Sequence, residues 1–217
     1  MLTFYYHPLS PISRRVWLSL LEKEIPFDPV LVDLRGQQFK EDFLSINPFH
    51  HVPVVVCEDF CLFESMAILD YLESRFPKKP LSPRSARAIA QMKMVQMVVA
   101  NELLPKLVAV ANAEHQPVSE AVNQHIATCL QFLERQLGEQ TYFGGDHINL
   151  ADIVAGSTVP LFYRLGISLQ PYTLLQRWHA LIIQRPTWQL TNLSDEAFRQ
   201  WQRWIQLQIK KRQRHQN

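Results

Sequence analysis

Between its first 76 residues and the rest, the chain carries Pro77-Lys78-Lys79-Pro80-Leu81-Ser82-Pro83. Three prolines in seven residues remove three backbone donors and bar the segment from a helix interior. The chain changes character across this break. Before it, β-rich runs alternate with helical ones. After it, helical spacing persists and no strand pattern recurs. The segment therefore reads as a linker between two domains, 1–77 and 84–217. A chain of 217 residues is long enough for two modest cores.

In the first domain, residues 2–6 read as a strand. Pro8 and Pro11 bracket a turn, and residues 13–23 follow as a helix. A second strand over 27–32 is weakened by Pro29. Strand, helix, strand with a short crossover implies a parallel pair. Residues 36–46 read as a loop with one helical turn. Residues 54–58 and 61–63 form an antiparallel hairpin. Residues 65–76 form a helix with Ile68, Leu69 and Leu72 inward. The order βαβ then ββα is the thioredoxin-like α/β arrangement. The second domain reads as an all-α bundle. Its helices are expected over 85–113 (bent near Pro105), 118–137 (closed by Gly138), 149–165, 172–184 and 196–212. Phe198, Trp201, Trp204 or Ile205, and Ile209 make an apolar stripe on the last, read as core.

Charge excludes some classes. Residues 1–80 carry 8 Lys+Arg against 11 Asp+Glu, and six later basics, Arg199, Arg203, Lys210, Lys211, Arg212 and Arg214, follow the last acid. The positive charge thus belongs to one terminal segment, read as a solvated helix end rather than a nucleic-acid face. No apolar run is read as membrane-spanning. The N-terminus lacks a leader pattern. Cys57, Cys61 and Cys129 form no metal-type cluster and read as small buried hydrophobes of a reducing cytosol. No metal and no resident cofactor is expected.

Three segments carry candidate chemistry. Val52-Pro53 precedes a strand directly; a cis bond there exposes the N–H and C=O of Val52, which can pair with a peptide-like ligand as an added strand does. Glu64-Ser65 opens a helix, whose free N–H groups and dipole suit a carboxylate, while Glu64 can receive an ammonium. Ser65 as a plain N-cap is the alternative. The turn from His7 to Val16 joins strand to helix at the sheet end where α/β ligands lie. Its hydroxyl, Ser10, can donate to a thiolate and lower the thiol's pKa. No cysteine lies in this turn, so such a thiol comes with the ligand. Ser13 as the helix N-cap and Ser10 as a turn residue is the other reading.

These residues, with Ser10-Pro11-Ile12-Ser13-Arg14-Arg15-Val16, Asn47-Pro48-Phe49-His50-His51-Val52-Pro53, Leu62-Phe63-Glu64-Ser65-Met66-Ala67-Ile68 and Asn149-Leu150-Ala151-Asp152, resemble the cytosolic glutathione S-transferases of the serine type, theta- or phi-like. The resemblance spans nearly the whole chain. It implies glutathione as co-substrate, a small hydrophobic electrophile, a role in detoxification, a cytoplasmic homodimer, and no nucleic-acid or membrane partner. It implies that Val52, with Pro53, pairs with the cysteinyl backbone. Glu64 and Ser65 then hold the γ-glutamyl end, and Lys40 and His51 the glycine carboxylate. Ser10 stands where the activating hydroxyl is kept, with Tyr6 the alternative. Phe39 stands where phi-type members often carry histidine, and His50 replaces a common glycine. The 84–217 domain is expected to contribute the apolar substrate site. Met92, Met94, Met97, Val98 and Val99 could be its wall, bundle core or a dimer contact. Asn149 and Asp152 have capping-box spacing and read as structural.

Overall fold

The structure is a computed structural model that describes residues 2–216, with side chains described as far as 207. Two compact units emerge: Met1–Pro83 with Pro186–Thr191, and Arg84–Arg185 with Asn192–Asn217.

The first unit holds β1 (Leu2–Tyr6), α1 (Pro11–Glu22), β2 (Asp28–Leu31), a 3-10 turn (Gln37–Phe39), α2 (Glu41–Leu44), β3 (Val54–Cys57), β4 (Phe60–Phe63) and α3 (Ser65–Arg75). The sheet runs β2-β1-β3-β4. β1 and β2 are parallel; β3 is antiparallel to β1 and to β4. Pro29 sits in β2, an edge strand, where a missing donor costs no ladder bond. Alternation along each strand builds two cores. Leu2, Phe4 and Val55 face Val16 and Leu20 of α1 and Ile68 and Leu72 of α3. On the other face, Val54 packs with Val32, Phe43 and Val52.

Helix α1 starts two residues before its expected start. Ser10 is the N-cap and Pro11 occupies the first turn, where its fixed φ is already helical and its absent N–H is not needed. A short helix unforeseen in the sequence, α9 (Pro186–Leu190), belongs to this unit rather than to the helical one. Buried Arg14 of α1 holds it, with Nε donating to Thr191 Oγ1 at 3.2 Å and Nη2 to the Trp188 carbonyl at 3.2 Å. Thr187 donates to Glu22.

The linker is also tied down. Lys23 Nζ, fully buried, meets Glu73 Oε2 at 2.8 Å and donates to the Lys79 carbonyl at 3.2 Å. Glu73 accepts from the N–H groups of Leu81 and Ser82. The helical sequence pattern alone gave no sign that Lys23 would be buried.

The second unit holds α4 (Ala86–Val98), a π-turn (Val99–Leu103), a 3-10 turn (Leu104–Lys106), α5 (Leu107–Ala111), α6 (Glu120–Leu137), α7 (Leu150–Arg164), α8 (Thr173–Ile182) and α10 (Asp195–Gln216). The expected bend at Pro105 takes the form of adjoining π and 3-10 turns. Ala86–Ala111 is one continuous helical stretch that meets the measure of a membrane span by length and composition alone, as core helices of soluble proteins also do. Its inner face, with Met92, Val95, Val99, Leu103 and Leu107, is buried in the unit. Gly138 closes α6 at φ 55°, a conformation open to glycine. Helix α7 is buried on every side from Leu150 to Phe162, as befits the centre of the bundle.

On α10, Phe198 and Trp201 are buried and stack at 5.4 Å, with the Arg164 guanidinium 4.1 Å from the Phe198 ring. Trp204 and Ile205 are half-buried. The side chains of Ile209, Lys210, Lys211, Arg212 and Arg214 lie outside the described residues.

Candidate functional site

Strand register gathers the candidate residues at one sheet edge. Tyr5 of β1 pairs with Val54 of β3, and Val54 pairs with Phe63 of β4. The turn after Tyr6, the segment before Val54 and the start of α3 after Phe63 therefore leave from the same end of three neighbouring strands. Strand spacing makes their span about 10 Å. β2 ends there too, since Tyr6 pairs with Leu31 and the Val32 N–H donates to the Tyr6 carbonyl at 2.9 Å. The loop carrying Lys40, His50 and His51 starts from that end. In α/β sheets, the C-terminal end of parallel strands is where ligands collect.

Ser10 is half-buried at the N-terminus of α1. Its Oγ accepts from the Ser13 N–H at 3.1 Å. The capping role read for Ser13 thus falls to Ser10. Capping uses only the oxygen's lone pair, so the hydroxyl proton remains available to donate. The two readings of this residue are compatible. Tyr6 has different surroundings. It lies on the helix-covered side of β1, stacked on Phe4 at 5.0 Å and tilted against Trp17 at 5.1 Å, beside the core cluster. His7, between them, is half-buried, and desolvation holds its imidazole below its ordinary pKa. Asp33 opposes that shift and Arg35 adds to it.

The Val52–Pro53 bond is cis. The Val52 side chain is buried, yet among the described residues neither its N–H nor its C=O has a backbone partner. The preceding loop is shaped by Asn47, which is buried. Its Nδ2 donates to the His51 carbonyl at 2.7 Å, and its Oδ1 accepts from the Phe49 N–H at 3.0 Å. Asn47, one position of the 47–53 sequence motif, holds the loop that leads to Val52. His50 has φ 57°, a left-handed conformation that glycine adopts without strain. Its ring lies 5.2 Å from that of exposed Phe39. Lys40 and His51 are exposed on the same loop.

Glu64 occupies the N-cap position of α3 at φ 67°, makes no side-chain cap bond, and is exposed. A non-glycine residue held there is strained by about 1 kcal/mol or more, and such strain concentrates at ligand sites. The first N–H groups of α3 lack intrahelical partners, and the dipole there favours an anion. Ser65 is buried beside them. The edge as a whole offers a free backbone N–H and C=O pair, a helix N-terminus with an adjoining carboxylate, a hydroxyl donor and two exposed basic groups. That set matches an extended, zwitterionic peptide-like ligand.

The helical unit has a different kind of polar centre. Asp152 is fully buried. Its Oδ2 accepts from the Asn149 N–H at 2.9 Å; its Oδ1 accepts from Trp178 Nε1 at 2.8 Å and the Phe143 N–H at 3.1 Å. Asn149 in turn accepts from the Ala151 N–H at 2.7 Å. The capping box is present as read, but it also anchors the loop before α7 and the α8 tryptophan. Burial pushes the Asp152 carboxyl up to about 6, while the surrounding N–H donors pull it down. The five residues read as wall, core or dimer contact divide. Met92 and Val99 are core, Val98 is half-buried, and Met94 and Met97 are exposed. All three cysteines are free thiols; Cys57 and Cys129 are buried and Cys61 is half-buried. Among the described residues, no group of three or more His, Cys, Asp and Glu is placed to hold a metal ion.

Two family models match the chain: glutathione S-transferase, N-terminal domain, over residues 9–75, and glutathione S-transferase, C-terminal domain, over residues 88–186. The chain is 32% identical over 180 residues to glutathione S-transferase U2 of Arabidopsis thaliana, covering 78% of each. It is 27% identical over 209 residues to a stringent starvation protein A homolog of Coxiella burnetii, covering 91% of this chain and 94% of that one. Its fold is similar to that of a delta-class glutathione transferase of Nilaparvata lugens, with TM-score 0.83, 22% identity, and coverage of 95% and 99%. The chain belongs to the glutathione S-transferase family, and it is an enzyme of that family.

Proposed function

We propose that this enzyme joins the thiolate of glutathione to small apolar electrophiles, as a detoxifying transferase. The observation that carries this reading is the shared sheet edge, where the β1–β3–β4 register brings together the Ser10 turn, Val52 and the Glu64-Ser65 start of α3.

In this reading, Val52 pairs with the cysteinyl backbone, with Pro53 setting the turn. Glu64 takes the γ-glutamyl ammonium, and Ser65 with the first N–H groups of α3 takes its carboxylate. Lys40 and His51 take the glycine carboxylate. The Ser10 hydroxyl donates to the sulfur and favours the thiolate, which is the nucleophile. The sulfur then forms a bond to an electrophilic carbon as the leaving group departs, or as a double bond accepts the electron pair. The protein's contribution is orientation and thiolate stabilisation. The domain over 84–217 supplies the apolar second-substrate surface. No resident cofactor or metal is used, the protein is a cytoplasmic homodimer, and neither nucleic acid nor membrane is a partner.

The test is glutathione conjugation to a panel of electrophiles by the wild type and Ser10→Ala, with glutathione binding measured separately. Ser10→Ala is expected to lower turnover by about tenfold to a hundredfold while glutathione still binds. Binding without turnover of any electrophile by the wild type would favour the alternative, a non-catalytic glutathione- or hydrophobe-binding module or an assembly module of the same fold.

A further inference from the structure

Ser10 is held at the end of a turn in which His7 contributes more than its place in the chain. The His7 carbonyl accepts the Ser10 N–H at 2.9 Å. Its ring nitrogen Nδ1 accepts the Leu9 N–H at 3.2 Å. Pro8 has no N–H. Both donors between His7 and Ser10 therefore end on His7. Beyond Ser10, the Ser13 N–H fixes the oxygen at 3.1 Å. The seryl hydroxyl is thus located from two sides, by the His7 ring and carbonyl through the backbone and by the first turn of α1 directly.

We propose that His7 is a positioning residue for the reaction, whose imidazole locks the 7–10 turn and so aims the Ser10 hydroxyl at the thiol. The proposal rests on the assignment of Ser10 as thiolate donor. Nδ1 can accept a bond only while it carries no proton, so the bond assigns the proton of neutral His7 to Nε2. Half-burial keeps the ring in that neutral form; the charged groups facing it, Asp33 and Arg35 on the loop after β2, act in opposite directions. The geometry is that of an Asx-turn, in which a side-chain acceptor takes the N–H two residues on. Asparagine is therefore the conservative replacement, since its Oδ1 can take the same N–H. Alanine leaves the half-buried Leu9 N–H without its ring acceptor.

The experiment titrates the thiol of bound glutathione by the ultraviolet absorbance of its thiolate, in the wild type, His7→Ala, His7→Asn and Ser10→Ala, with dissociation constants measured in parallel. The expected result is that His7→Ala raises the bound thiol's pKa by about half a unit to one unit, the equivalent of one neutral hydrogen bond. Glutathione affinity measured below the bound thiol's pKa, where the neutral thiol is the species bound, should change by less than about twofold, and His7→Asn should restore the wild-type thiol pKa. A merely structural role would lower the melting temperature of His7→Ala without moving the thiol titration. A wild-type thiol pKa in His7→Ala, or His7→Asn as impaired as His7→Ala, overturns the proposal. If Ser10→Ala shifts the titration and His7→Ala does not, the inference fails alone. If Ser10→Ala leaves the titration unmoved, the Ser10 assignment fails and the inference with it.

Discussion

The two ends of α1 treat polar groups in opposite ways. At its C-terminal end, Lys23 is fully buried, and its ammonium is held by Glu73 and backbone carbonyls, with Glu73 taking two linker N–H groups as well. At its N-terminal end, Ser10 keeps a hydroxyl proton to give, and the neighbouring edge leaves Val52's backbone pair and the first N–H groups of α3 without described partners. Asp152 in the helical unit follows the first pattern. A buried polar group with its donors and acceptors filled has no valence left for a ligand and serves the fold. Open groups gathered at one edge, one of them on a strained backbone, are what a ligand can complete.

The largest effect is expected where filling is most complete. Asp152→Ala strands at least three N–H donors in the interior and should lower stability by about 3–5 kcal/mol, read by denaturant unfolding. The pH dependence has a definite sign. With its folded value raised from 3.8 to about 6 by burial, the native state holds the Asp152 proton more tightly than the unfolded chain does. Its contribution is therefore full below about pH 4 and lost as pH rises through about 6, at no more than about 1.4 kcal/mol per pH unit. The stability difference between the wild type and Asp152→Asn should carry that slope, and a difference independent of pH between 4 and 6 would remove Asp152 from the account. Glu73→Gln should cost about 2–3 kcal/mol by leaving the Lys23 charge buried without its counter-ion, with glutathione binding retained.

The divide between filled and open groups was only half legible in the sequence. β-rich runs and proline placement made the order βαβ then ββα legible, because each rests on local geometry, but not which strand residues face which core. Asn149 and Asp152 were legible because a capping box is a spacing of three. The Trp178 bond to Asp152 and the Arg14 bonds to Thr191 and Trp188 join residues 26, 177 and 174 apart, and no local pattern carries such information. Buried Lys23 was invisible for the same reason. Glu64 was legible as the start of a helix but not as a residue at φ 67°, since glutamate has no preference for that conformation. The start of α1 shifted to Pro11, capped by Ser10, because proline favours the first helical turn more strongly than spacing alone conveyed.

Glu64 offers a way to separate ligand use from fold use in a single residue. Glu64→Gly should raise stability by up to about 1 kcal/mol, since glycine accepts φ 67° without strain. The same change should weaken glutathione binding by about tenfold, through loss of the carboxylate proposed to meet the ammonium. Thermal unfolding and isothermal calorimetry on the same preparation read the two effects. A variant both less stable and unchanged in binding would place Glu64 with the structural groups and erase the contrast.

The smallest effect is expected at Tyr6, and it bears directly on which hydroxyl serves the thiol. Tyr6 and Ser10 are four residues apart, but their surroundings differ in kind. The Tyr6 ring is stacked on Phe4, tilted against Trp17, and packed beside the apolar cluster under α1 and α3. Those contacts are made by the ring faces and edges, which phenylalanine reproduces atom for atom. Tyr6→Phe should therefore change the melting temperature by less than about 2 °C and the turnover of glutathione conjugation by less than about twofold. Ser10 has no such apolar setting, and its Oγ sits at a helix start with a proton to donate. If Tyr6→Phe loses turnover and raises the pKa of the bound thiol while Ser10→Ala keeps full rate, the phenol is the donor. The open edge then extends onto the helix-covered side of β1, and the line between filled and open groups runs four residues earlier, through the core itself.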